Sequence, residues 1–89
     1  MLFDKSKPDF INEKGTKWWF DKSSTNYARK EDAKGITLPN VSVFYVEEIN
    51  GNMSYVVIDG EDIIYESKQL EAIGAYIDIL KFNKQKGES

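Results

Sequence analysis

The amino-acid sequence predicts an α+β fold: an antiparallel meander of three to four strands packed on a C-terminal amphipathic helix, with an irregular or short-helical N-terminal segment. Three observations carry this expectation. Residues 41–66 contain successive runs rich in β-branched and aromatic residues. Asn50-Gly51 and Asp59-Gly60 separate those runs, and such dipeptides favour tight hairpins because they tolerate positive φ cheaply. Beyond Ser67, apolar residues recur at helical spacing until Gly87. With 89 residues the chain can build one sizeable core, so residues 1–89 are read as a single domain.

Within residues 1–40, an aromatic and basic segment, Ser6-Lys7-Pro8-Asp9 can open a short helix through Lys14, with Gly15 as its stop. Thr16 to Phe20 has strand propensity and supplies the optional fourth strand. Ser23 to Asn26 could cap a polar helical stretch from Tyr27 to Lys34 that ends at Gly35. Pro39 disfavours helix at Leu38, so the chain should enter the meander extended.

The meander follows as Val41 to Val46, Met53 to Ile58 and Asp62 to Glu66. Its first two strands carry apolar residues on both parities, so neither face can be wholly exposed to water, and either another element or a partner must cover the second face. Asn50, Gly51 and Asn52 permit a two-residue or a three-residue loop, which leaves the register open. In residues 67–86, Ser67 caps a helix from Lys68 to about Gln85. Its apolar arc is Leu70, Ile73, Tyr76, Ile77 and Leu80, with Glu71, Asp78 and Lys81 outside. Lys81, Lys84 and Lys86 suit the negative end of that helix's own dipole. Gly74, inside it, implies a close approach to a strand.

The composition limits the chemistry. There is no Cys and no His, so thiolate nucleophiles, imidazole bases, soft-metal sites and disulfides are excluded. No phosphate-binding glycine loop or nucleophile elbow is present, and nothing nominates a carboxylate pair for hydrolysis, so no enzyme and no cofactor are expected. Asp59-Gly60-Glu61-Asp62 lacks the alternate oxygen ligands of a calcium loop, and no metal site is expected. No apolar run approaches the length of a membrane span or a leader, so a cytoplasmic, membrane-free protein is the expectation.

Charge divides unevenly. Residues 41–78 hold eight acids and the single base Lys68, within a chain of net charge −3. Glu47, Glu48, Asp59, Glu61, Asp62 and Glu66, with Tyr65, form the candidate partner-binding set, because a negative surface steers a basic protein and can stand in for a phosphate backbone. The expected function is therefore a non-catalytic protein-interaction module, an accessory inhibitor of a basic, nucleic-acid-binding protein. A second class is single-stranded nucleic-acid binding by Lys17, Trp18, Trp19, Lys22, Tyr27, Arg29 and Lys30, rings stacking on bases while cations follow phosphates. Alternation opposes it in part, since Trp18 and Phe20 share one strand face and Trp19 takes the other. A third class is a homodimer that covers its own apolar sheet face.

Overall fold

The computed structural model describes residues 4–87. Five antiparallel strands form one sheet in sequence order: β1 (Phe10–Ile11), β2 (Lys17–Phe20), β3 (Val41–Glu47), β4 (Met53–Asp59) and β5 (Asp62–Ser67). Helix α1 (Lys22–Arg29) joins β2 to β3, and α2 (Leu70–Gly87) ends the described chain. The meander and the C-terminal helix are as expected, with five strands rather than three or four.

The additional strand replaces the short helix expected from Ser6 to Lys14. Asn12 is responsible: its Oδ1 accepts from the backbone N–H groups of Lys14 and Thr16, each at 2.9 Å, and so holds a turn that folds β1 back on β2. Gly15 completes the turn at φ +82°, and its N–H donates to Asn12 O. Helix α1 also differs from expectation, starting earlier and ending at Arg29 rather than Lys34. Asp21, not Ser23 to Asn26, is its N-cap, accepting from Ser24 N at 3.1 Å and from Ser24 Oγ at 2.9 Å.

The hairpin register settles as Tyr45 opposite Tyr55. Gly51 has φ +93° whereas, among the described residues, none other than glycine has positive φ, so the connection is not a type I′ turn. Gly51 N donates to Glu48 O and Glu48 N to Asn52 O, the pattern of a three-residue loop closed by a left-handed glycine. Asp59-Gly60 also departs from I′: Gly60, at φ +66°, is the first residue of a two-residue loop between Asp59 and Asp62. Between Val57 and Ile58 the β5 register shifts, leaving Ile64 as an extra residue. Both Ile64 and Tyr65 consequently pack against the helix-side core.

One side of the sheet is covered. Val41, Val43 and Val57 meet Ala28 of α1 and Ile73 and Ile77 of α2, all buried. Trp19, Tyr45 and Tyr55 share this side by register. Trp19 donates from Nε1 to Asp4 O at 3.0 Å, while Lys5 pairs with Glu47 at 3.1 Å and lies over the Tyr45 ring. The N-terminal strap therefore shields the sheet end that the helices do not reach. Where β2 stops, α1 takes its place along β3: Thr25 Oγ1 accepts from Val43 N at 2.9 Å, Arg29 Nε donates to Val41 O at 3.0 Å, and Asp21 N donates to Val43 O. Side chains of a helix thus satisfy backbone groups that a sheet edge would leave open.

Three expectations about α2 need correction. Leu70, at the helix start, is exposed rather than part of the packed arc. Lys81 is only 6% exposed, because it lies one turn beyond Ile77 on the same stripe. A Cβ on Gly74 would meet nothing within 4 Å, so close approach to a strand is not what places glycine there.

Candidate functional site

The opposite side of the sheet is the candidate site. By register, Phe10, Trp18, Phe20, Phe44, Val46, Val56, Ile58 and Ile63 all point to it. The buried surfaces of α1 and α2 lie on the other side, so among the described residues neither helix packs here. Phe10 and Ile63 are each 57% exposed, whereas Trp19, next in sequence to Trp18, is 2% exposed. This is the uncovered second face that apolar residues on both parities anticipate.

The rings interlock rather than lie parallel. Phe44 is the hub, meeting Trp18 edge-to-face with centroids 5.7 Å apart and Phe20 likewise at 5.5 Å. Phe10, Trp18, Phe44 and Ile58 line an open, wholly apolar depression of about 270 Å³. Trp18 Nε1 is enclosed without a hydrogen-bond partner, a penalty of about 1–3 kcal/mol for a buried donor. Polar groups enter this face mainly at its β4 and β5 side, where Ser54 Oγ donates to Glu66 Oε2 at 2.8 Å. Glu66 is the single charged side chain that the described strands place here.

The candidate acidic set is divided. Glu47 and Glu48 stand at the β3–β4 turn, and Asp59, Glu61 and Asp62 at the β4–β5 turn, the opposite end of seven-residue strands. A strand of that length runs about 23 Å, beyond the screening length at physiological salt, so these are two separate rims. Glu47 is further committed to Lys5. Tyr65 belongs to the interior side, stacked on Tyr76 at 4.2 Å with planes 7° apart. Among the described residues no cluster of three acids could hold a metal ion.

The candidate nucleic-acid set is likewise dispersed. Trp19 is core, and Lys17 shares its side of β2. Arg29 is bound to Val41 O and to Ser42 Oγ. Tyr27 donates from its hydroxyl to Asp78, which raises the phenol pKa above its ordinary value. Lys22 and Lys30 are exposed at opposite ends of α1. Trp18 reaches the open face, and Arg29 touches its edge through Ser42 Oγ.

A second depression, of about 530 Å³, lies between α1, the following loop and α2, with Lys81 beneath it. Its acids Glu31, Asp32 and Asp78 and its bases Lys30, Lys34 and Lys81 alternate in sign, so it presents no net field. Phe10, Phe20 and Phe44 stand outside both candidate sets; the alternation of Phe44 with Val43 and Tyr45, and of Phe20 with Trp19, is the sequence signal for the latter two. Among the described residues no helix is long and apolar enough to cross a membrane. Comparison with protein-family models, curated proteins and solved structures finds no match.

Proposed function

We propose that this protein is a non-catalytic protein-interaction module whose working surface is the open aromatic face of its sheet. The carrying observation is the contiguous strip of Phe10, Trp18, Phe20 and Phe44 on a side that neither helix covers. Aromatic anchors in an apolar patch are the residues that dominate protein interfaces. The acidic rims at the two sheet ends act around this patch, setting approach and selectivity rather than forming the contact.

A single-stranded nucleic acid would also use exposed rings on a sheet. Electrostatics weigh against it: the face carries Glu66, Arg29 meets it only at the edge through Ser42, the other bases of the candidate set are on other surfaces, and the edge-to-face packing of Phe44 turns rings toward one another instead of toward stacked bases. Titrating the tryptophan fluorescence with a mixed oligonucleotide at low and moderate salt should therefore produce no salt-sensitive quenching.

The positive test is site-specific photo-crosslinking in cells. A photoreactive residue at position 10 should capture protein, whether another copy or a different chain, while the same residue at exposed Ser23 should not. A silent position 10 would remove the open face from the account.

A further inference from the structure

We infer that the partner seated on the open face is a second copy of this chain, packed sheet to sheet about a two-fold axis running along β3. The inference rests on that face being a protein-binding surface and names its occupant. Area comes first. Seven-residue strands run about 23 Å and five strands span about 19 Å, a footprint on the order of 400 Å² before side-chain relief. Two copies together then bury roughly 1,000 Å², the lower bound for a specific interface.

Shape selects the partner and the axis. Bulky rings occupy the β1 to β3 part of the face, whereas β4 contributes Ser54, Val56 and Ile58. An axis along β3 reverses strand order between copies and lays β2 of one over β4 of the other, so Trp18 and Phe20 meet Ser54, Val56 and Ile58 while Phe44 meets its own copy on the axis. Charge selects the same axis. An axis across the strands would set Glu66 against its own copy, whereas the axis along β3 carries it to the β1 side of its partner, away from that copy.

An interface at this lower bound is reversible rather than obligate, with Kd in the micromolar range. Each copy carries −3, so added salt screens repulsion and strengthens the dimer. A basic protein partner would respond in the opposite sense.

Sedimentation velocity of the full chain, from micromolar to submillimolar concentration and at low and moderate salt, tests this. The expected result is a monomer–dimer equilibrium that shifts toward dimer as salt rises. The double variant Phe10→Ser, Ile63→Ser alters two exposed side chains, and it should weaken the dimer roughly tenfold or more with an unchanged circular dichroism spectrum and melting temperature. A wild-type chain that stays monomeric throughout overturns the inference, as does association that the double variant leaves intact. The interaction module itself survives a monomeric result if position 10 crosslinks to a different protein, and it falls only if that position is silent.

Discussion

The ammonium of Lys81 donates to the carbonyl oxygen of Tyr27 at 2.9 Å, joining the middle of α2 to the last turn of α1. The same ammonium donates to Lys30 O at 3.0 Å and lies 5.0 Å from the centre of the Tyr27 ring. The last carbonyls of a helix have no partner within it and carry the negative end of its dipole, so a buried cation is well placed there. Lys84 adds a third tie at 2.7 Å to Thr37 O in the connector. These lysines, which suit the end of α2 on sequence grounds, in fact cap and anchor the segment that follows β2.

Lys81→Met keeps most of the side-chain volume and removes the donor. Carbonyls that lose a charged partner in a nearly buried setting cost about 1–3 kcal/mol, so urea denaturation should show a midpoint lowered by that loss divided by the slope m. A midpoint within error of wild type would mean that the terminus of α1 is satisfied without Lys81.

The loop at Asp32 makes a pH-dependent prediction. Amide hydrogen bonds, first from Ile36 and then from Lys34, hold the Asp32 carboxyl below the ordinary aspartate range. A depressed folded pKa contributes stability that is present above the unfolded value, near 4, and lost as pH falls through the folded value. Protection of the Lys34 and Ile36 amides, measured against the intrinsic exchange rate at each pH, should therefore fall on acidification. Asp32→Asn keeps the acceptor and should remove that pH dependence, whereas Asp32→Ala should open the loop at every pH.

The same loop explains what could be read in the sequence and what could not. Asn12 to Thr16, Asp32 to Ile36 and Glu48 to Asn52 share one geometry: the first residue accepts from a left-handed glycine three positions on and donates to the carbonyl four positions on. A left-handed glycine also ends helices, so Gly15 and Gly35 were compatible with helix stops, while at Gly51 the flanking β-branched runs decided for a hairpin. The open face was legible as two-sided apolar strands and as the alternation of Trp18 with Trp19. Its extent was not, because the fifth strand depends on a side-chain turn at Asn12. The acidic set was contiguous in sequence only because successive turns alternate between sheet ends. Lys81 lies outside an arc drawn through the apolar residues alone, although its spacing from Ile77 puts it on the packed stripe.

Thr25 provides a test of how α1 substitutes for a strand. Its hydroxyl is fully buried and accepts from Val43 N at 2.9 Å. Thr25→Val preserves shape and leaves that amide without an acceptor, so the expected loss is about 1–3 kcal/mol, with faster exchange of the Val43 amide. Thr25→Ser keeps the acceptor and should lose less. A Thr25→Val variant as stable as wild type, with Thr25→Ser the weaker of the two, would assign the effect to the γ-methyl group instead of the hydrogen bond.

Gly74 should be improvable. It lies in the interior of α2, has no positive φ, and faces open space where a Cβ would stand. Glycine in a helix interior is less favourable than alanine by about 0.8–1.0 kcal/mol, chiefly through the backbone freedom it retains in the unfolded chain. With no clash to offset that gain, Gly74→Ala should raise stability by about 0.5–1 kcal/mol, a rise in melting temperature of about 2–8 °C for a domain of this size. Thermal unfolding followed at 222 nm reads the shift directly. A lower melting temperature would mean that α2 approaches a neighbour at Gly74 more closely than this packing allows, and would reopen the assignment of its buried stripe to Ile73 and Ile77.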